Sequence, residues 1–414
     1  MPESTPPPSL WLQLAGDQCG PHDPPPDQAD VVVVGGGIAG VATALHLARA
    51  GVDVVLLEAR KLAARASGRN DGQLLLGLGE HYNRIVGQFG RERARLLWSF
   101  IRDNNASLKA ELHRSVPECG LRDAGGLRLA QTEHEHTELQ SAARLLAEEG
   151  IAHELLSVDD LRHILPPAVG FAGALRLPGE AIVQPVAMVH GLARTARSLG
   201  VRVCEGVAVE GLTRGAGDVR VHLDGDRTIA ATVVVLCTSA LAPRLDPSGF
   251  LGAQVFPFRG QVLASDPLPE AVVEPFGEYA MSSNFCYEYF RTHGRRFVVG
   301  GMRWSVRGQE EGTVDDDTVN PEITANLLAY VARHFPVLQG VAFPQRWTGI
   351  MAGTQDGLPL LGALPGQPGV FVHLAFNGYG LSFAFAGGAV VAEMVLHGGS
   401  QHPAAALFAP RRFA

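Results

Sequence analysis

Lysine is nearly missing from this chain: only Lys61 and Lys109 occur in 414 residues, so arginine carries almost all the positive charge. Acidic residues outnumber Lys and Arg by 42 to 34, for a formal net charge of −8 and a pI near 6.0. That argues against a nucleic-acid partner, which needs a basic face. Cysteine is also sparse. Cys19, Cys119, Cys204, Cys237 and Cys286 form no CxxC, and no His/Cys group has zinc spacing. No metal site is therefore expected, and free thiols in a reducing compartment are. No uninterrupted apolar run reaches the ~18 residues of a membrane span. The first residues lack the charged-then-apolar order of a secretory signal. A cytoplasmic protein without a membrane span is expected.

What is present starts with proline. "PESTPPP" and "PHDPPPD" flank "SLWLQLAGD". Proline cannot donate a backbone hydrogen bond, so residues 1–27 read as an extended arm, pinned by Trp11 and Leu12. The length favours two domains, and 46% apolar residues suffice for a sizeable core.

Next comes "DVVVVGGGIAG", Asp30 to Gly40. Val31 to Val34 is a continuous apolar run, as in a strand buried on both faces. Gly35, Gly37 and Gly40 stand in GxGxxG spacing. The first allows a tight turn, the second a close approach of backbone to pyrophosphate, the third close packing of helix on strand. A helix follows with Val41, Ala44, Leu45 and Ala48 on one face, ended by Gly51. Its N-terminal amides, including those of Ile38 and Ala39, point at the phosphates. Val52 to Leu57 is a second strand, closed by Glu58, which is placed to accept hydrogen bonds from a ribose. Glu58 disfavours NADP, whose 2′-phosphate it would repel, and does not separate NAD from FAD.

Further on, residues 91–113 and Leu139 to Glu149 read as amphipathic helices, Ser157 with Asp160 as a capped short helix, and Pro185 to Gly200 as another helix. Strands flank an Asp224-Gly225 turn, and Val233 to Cys237 is again a buried strand. Thr238 and Ser239 form a small-residue turn after it.

"ARASGRNDGQ", Ala64 to Gln73, resembles the turn by which the glycine/D-amino-acid oxidase family of FAD-dependent oxidoreductases passes its flavin, in the flavour of its γ-glutamylputrescine oxidoreductase-like branch. "PFRGQVLASDPLP" (Pro257 to Pro269), "YEYFRTHGRRFVVGGMRW" (Tyr287 to Trp304), "WTGIMAGTQDGLPLLG" (Trp347 to Gly362) and "VHLAFNGYGLSFAFAGGAVVAEMVL" match later motifs of that family in order, so the resemblance covers roughly residues 28–400. It implies an α/β fold: a doubly wound, Rossmann-like FAD-binding domain and a second α+β substrate domain on a mixed sheet. The boundaries expected are 28–85, 165–245 and 340–414 for the first and 86–164 and 246–339 for the second. It implies FAD contacts from Ala59, Arg60, Ser67, Gly68, Arg69, Asn70, Gly72 and Gln73. Val207, Thr238, Ser239, Gly349 and Met351 join them. Gly378, Tyr379, Gly380, Leu381 and Ser382 form a turn that aims amides at the flavin ring, where reduction places negative charge. The activity implied is oxidation of an amine or amino acid to an imine, with O2 or another electron acceptor. An NAD-dependent dehydrogenase and a flavin-binding subunit without turnover are the alternatives.

The chain departs from the family in several places. Asp71 replaces a usual glycine, read here as a turn residue. Met351 stands where amino-acid oxidases place a carboxylate-binding arginine, which makes an α-amino acid held that way doubtful. Arg69, Arg291 and Arg303 are the replacement candidates, Arg291 first. Gly349 stands where a branch of the family has a flavin-linking cysteine, so FAD is expected to be non-covalent. No lysine follows Lys109, so an arginine assists oxygen or a quinone or carrier accepts the electrons. Tyr289, with Tyr287 and Phe290, is a candidate wall of an amine cage, and Tyr379 a candidate substrate contact.

Overall fold

The run Val31 to Val34 becomes the C-terminal end of strand Gln28–Val34, buried on both faces within an eight-stranded sheet. The computed structural model describes residues 8–16 and 23–414. Cys19 and the rest of the N-terminal segment lie outside them. Strand Gln28–Val34 pairs in parallel with Val54–Glu58 on one side and Thr228–Leu236 on the other. Arg202–Glu205 and Val370–Leu374 extend the sheet in the same sense, and Leu360–Ala363 closes one edge in antiparallel. The hairpin Val209–Arg214 and Val219–Leu223 joins through Thr228–Leu236.

A second eight-stranded sheet is mixed. Its order is Gln345–Thr354, Val255–Ala264, Arg296–Gly301, Glu288–His293, Ala280–Ser283, Gly126–Leu129, Ala174–Leu177 and Glu154–Leu156. All its neighbours are antiparallel except Ala280–Ser283 with Gly126–Leu129. The α/β fold expected from the sequence, with a parallel-cored sheet and a second mixed sheet, is thus present. Strands Ala174–Leu177 and Gln345–Thr354, however, belong to this second sheet, inside ranges expected for the first domain. Both are short of local signal, and only their partners decide which sheet each joins.

Helices form where the capping chemistry allows. Arg91–Ser115 and Pro185–Ser198 match their expected spans, and Val158–Ile164 carries the Ser157/Asp160 capping box. Glu133–Glu148 begins six residues before the apolar face does, because the Thr132 hydroxyl accepts from the Glu135 amide at 3.1 Å. The last long helix, Gly380–His397, is by length and composition able to cross a membrane, yet 56% of it is buried inside the protein. It packs on Ile38–Arg49 so closely that a Cβ on Gly388 would lie 2.8 Å from the Ala42 backbone.

The extended arm is corrected at Leu10–Ala15. Leu10–Ala15 is a short helix, capped by the Ser9 hydroxyl, which accepts from the Leu12 amide at 3.2 Å. Trp11 pins it as expected, fully buried with Nε1 donating to the Asn70 carbonyl at 2.6 Å, and Leu12 packs half-buried on the same core. Two leucines and a tryptophan with nowhere else to bury outweigh the flanking prolines. Ser9 also donates to the Gly68 carbonyl at 2.5 Å. Ser9→Ala should cost about 1–2 kcal/mol, read as a lower denaturation midpoint with unchanged slope. An unchanged midpoint would show that the helix docks without its cap.

Candidate active site

The first glycine turn is dictated by sterics. A Cβ on Gly40 would lie 1.9 Å from the Gly35 carbonyl oxygen, and one on Gly35 2.7 Å from that of Cys237. Gly35 has φ +111°, and a Cβ on Gly37 would meet the Ser67 hydroxyl at 2.8 Å. That hydroxyl accepts from the Ile38 amide at 2.9 Å. Glu58 accepts from the Gly36 amide at 2.7 Å and the Arg60 amide at 2.8 Å, tying the end of its strand to the turn. Burial pushes its carboxyl pKa up, and those two bonds oppose the rise. Val207 and Gly206 continue the same edge, donating to the carbonyls of Glu58 and Arg60 at 2.9 and 3.0 Å.

The segment Ala66 to Gln73 is held from several sides. Asn70 Nδ2 donates to the carbonyls of Ala66 and Ser67, and its Oδ1 accepts from Gly72. Asp71 Oδ1 accepts from the Gln73 amide at 3.2 Å, the turn geometry expected of it. Its side chain also lines the cavity described below, where burial pushes its pKa up to about 6. Gln73 Nε2 donates to the carbonyls of Met281 and Phe290 at 3.2 Å, fastening the segment to the second sheet. Arg69 is buried, with Nε on the Thr348 carbonyl at 2.5 Å and Nη2 on that of Asp316 at 3.1 Å.

At the other end of the chain, Ala375, Asn377 and Gly378 all have left-handed φ values. Asn377 is locked by its amide on the Ala352 carbonyl and by its Oδ1 accepting from Thr354. The turn delivers the start of helix Gly380–His397 to the first glycine turn. Asn104 secures it: Nδ2 donates to the Leu381 carbonyl at 2.9 Å, and Oδ1 accepts from Phe385 and Ala386 at 3.0 Å. Ser382 Oγ donates to the Leu75 carbonyl at 2.8 Å. The Tyr379 ring lies on Gly79, where a Cβ would overlap its hydroxyl.

One cavity joins these turns. Its wall includes Gly37, Ile38, Ala39, Ser67, Arg69, Asn70 and Gln73 from the N-terminal side, then Ser239, Gly349 and Met351, and Gly378 through Ser382. The second sheet supplies Tyr289 and Phe258, and the turns flanking its strands supply Cys286, Tyr287 and Arg303. Phe258 pairs with Met351, and Gly260 with Gly349, across adjacent strands. A Cβ on Gly300 would lie 2.2 Å from Tyr289 Cε2, so this glycine leaves the ring room to lie across the sheet. Burial pushes the phenols of Tyr289 and Tyr379 upward, so both stay protonated donors.

Other expected residues lie beside the cavity, not on it. Gly35, Gly40 and Gly68 serve packing: a Cβ on Gly68 would meet the Ala63 carbonyl oxygen at 2.2 Å. Gly72 holds φ +73° next to Val183. Ala59 is exposed, and Arg60 pairs with Asp316 at 3.8 Å. Thr238 is behind the wall between Cys237 and Ser239.

Arg291 requires a correction. It does not line the cavity, and its guanidinium is spent on backbone. Nη1 donates to the carbonyls of Val183 at 2.7 Å and Gly72 at 2.9 Å, Nε to that of Thr292 at 3.1 Å, and the group stacks on Trp11. A buried guanidinium needs acceptors for its N–H groups; here main-chain carbonyls take Nη1 and Nε, and Nη2 faces His293 Nδ1 at 3.4 Å. Burial lowers its pKa to about 10. Residues missed by the sequence reading include Phe258, Asn104 and Asn105. The signal for the last two was two asparagines beside Ile101 and Leu108 on an otherwise apolar helix face.

The residues fit a flavin dinucleotide. Glycines leave room at each turn of the cavity wall, Gly37 at one end and Gly378 and Gly380 at the other. Two glycine turns from opposite ends of the chain, meeting in one cavity under a mixed sheet, define a two-domain flavin-dependent oxidoreductase. The chain belongs to the DAO family of FAD-dependent oxidoreductases, whose model matches residues 30–394. It is 29% identical over 371 residues to gamma-glutamylputrescine oxidoreductase of Escherichia coli K12, covering 88% of this chain and 83% of the relative. It is 27% identical over 373 residues to glycine oxidase of Geobacillus kaustophilus, covering 88% and 92%. The crystal structure of that glycine oxidase superposes with a TM-score of 0.77 at 24% identity, over 93% of this chain and 98% of the other. L-proline dehydrogenase from P. horikoshii gives 0.78 at 21%, over 94% and 98%. The cofactor is FAD, which sets aside the NAD-dependent alternative.

Proposed function

We propose that this protein oxidises the C–N bond of an amine or amino acid to an imine at the cavity between its two sheets, with FAD held non-covalently. One observation carries the reading: beside the glycine turns the cavity wall is Tyr287, Tyr289, Phe258 and Met351, and among the described residues no lysine or histidine lines it. Such a wall positions a carbon and excludes water. The names of the relatives above, an amine oxidoreductase and an amino-acid oxidase, support it.

Bound FAD supplies the hydride acceptor. The chain's own residues hold and orient. Gly37, Ile38 and Ala39 would take the pyrophosphate and Glu58 the ribose. The amides opening helix Gly380–His397 would favour negative charge on the reduced ring. Tyr289 and Tyr379 would donate hydrogen bonds to bound ligand, and Met351 leaves no guanidinium for an α-carboxylate at its position. Cys237 and Cys286 are poor candidates for a flavin link, because burial pushes their thiols up to about 12 and about 11. Electrons leave to O2 or another acceptor. The unpaired thiols of Cys119, Cys204, Cys237 and Cys286 suit the cytoplasm. The domain division proposed is by sheet, with Ala174–Leu177 and Gln345–Thr354 counted in the substrate domain.

Anaerobic mixing of the holoprotein with amines and amino acids should bleach the flavin. A flavin that stays oxidised with all of them would favour a binding subunit without turnover. Glu58→Ala should weaken FAD binding on the order of 10-fold or more, measured by titrating apoprotein with FAD; an unchanged Kd would contradict the ribose role.

A further inference from the structure

Three charged side chains line the cavity: Arg69, Asp71 and Arg303. Arg69 is committed to the carbonyls of Thr348 and Asp316. The other two retain capacity. Asp71 uses Oδ1 on the Gln73 amide, and Oδ2 has no hydrogen-bond partner among the described residues. Arg303 stacks on the Phe258 ring at 4.7 Å. Its Nη1 donates to the Gln309 carbonyl at 3.2 Å and faces Glu311 at 3.6 Å. Nε and Nη2, the edge that grips a carboxylate in bidentate fashion, have no hydrogen-bond partner among the described residues.

The two charges differ in place. Arg303 is the outer one, its side chain 25% exposed beside the exposed Trp304. Asp71 lies inside, in a segment fixed to the carbonyl of Phe290 through Gln73 and to the Arg291 guanidinium through its own carbonyl at 3.3 Å. Tyr289 and Arg291 share one face of their strand, two residues apart. The turn carrying Arg303 begins at Gly301, which pairs with Glu288 on the far side of Tyr289. From residue 291 to residue 288 the strand spans roughly 10 Å. Tyr289 therefore stands between an inner acid and an outer arginine, and both charges act on its hydroxyl, Asp71 raising its pKa and Arg303 lowering it. The two do not form an ion pair with each other. The wall between them is apolar and aromatic: Tyr289, Met351 and Phe258.

We infer that the substrate is an amine whose carboxylate lies several carbons from its nitrogen, the nitrogen drawn inward by Asp71 and the carboxylate held at the mouth by Arg303. This rests on the amine-oxidising reading of the cavity and names its substrate class. Asp71 is the one acid lining the cavity among the described residues, and an amine in water is a cation. Arg303 replaces Arg291 as the carboxylate group's partner because Arg291 does not line the cavity and its guanidinium is held by the carbonyls of Gly72, Val183 and Thr292.

The test uses the holoprotein with two readouts. Unreactive straight-chain alkanoates are titrated against the flavin absorption band. Anaerobic flavin reduction is then followed with glycine, with longer ω-amino acids and with alkylamines of matched length. Alkanoates should perturb the band saturably, and Arg303→Met should weaken them on the order of 10- to 100-fold, with Arg303→Lys recovering part of the loss. Longer ω-amino acids should half-saturate below matched alkylamines, and that preference should collapse in Arg303→Met. Asp71→Asn should raise half-saturation for both amine classes more than for alkanoates. Retained FAD content and melting temperature confirm that the variants are folded. Glycine as the best substrate, or an Arg303→Met variant with unchanged alkanoate Kd and unchanged preference, overturns the inference alone. No reduction by any of the three classes overturns the amine-oxidising reading with it.

Discussion

Gly40→Ala is expected to purify without flavin. The new Cβ would lie 1.9 Å from the Gly35 carbonyl oxygen and 3.3 Å from Leu56 Cδ1. Neither neighbour can give way: the Gly35 amide is bonded to the Leu57 carbonyl at 2.8 Å, and Leu56 is buried between layers. Helix Ile38–Arg49 must move off the strand, taking its first amides with it. It cannot move far either, because its other side meets Gly388 backbone to backbone. Overpacking of this kind costs about 1–3 kcal/mol in an ordinary core, and here it also displaces the phosphate-binding amides. FAD affinity should fall at least on the order of 100-fold, about 3 kcal/mol. The ratio of flavin to protein absorbance after purification reads this directly. A variant with full flavin content would mean that the turn does not carry the phosphates.

The second large effect is expected at Arg291. Arg291→Met removes donors from the carbonyls of Val183, Gly72 and Thr292 and the stack on Trp11, at about 3–5 kcal/mol for two or three bonds to a buried charge. It also releases Gly72, and with it the segment that lines the cavity from Arg69 to Gln73. Lower thermal stability and weaker FAD retention should appear together. The relative preference among carboxylated and uncarboxylated amines should stay as it is. Normal stability with a raised KM for carboxylate-bearing substrates alone would return Arg291 to the substrate site.

Those two residues mark where sequence reasoning succeeds and where it stops. The role of Gly40 is local: strand, turn and helix lie within a few residues, and the steric reason for each glycine can be read from spacing alone. The same holds for the Ser157/Asp160 cap. Arg291 and Arg303 look alike in sequence. Alternation places Arg291 on the cavity face with Tyr289, but only the pairing of its strand shows that it lies past the tyrosine, against carbonyls from residues 72 and 183. The sheet membership of Ala174–Leu177 and Gln345–Thr354 was hidden for the same reason, since long-range partners decide it. The helix at Leu10–Ala15 was masked by flanking prolines, although Ser9 and the buried Trp11 carried its signal. Asp71 was readable as a turn residue; its second role as the cavity's acid depends on the sheet that closes over it.

A crystal structure of the protein grown with FAD tests the central claim most directly. The account predicts the pyrophosphate on the amides of Gly37 to Ala39 and the flavin ring between the Gly378–Ser382 turn and the Tyr289–Met351 wall, with no bond to a cysteine. A ring lying elsewhere, or a dinucleotide that leaves that wall uncovered, would contradict it.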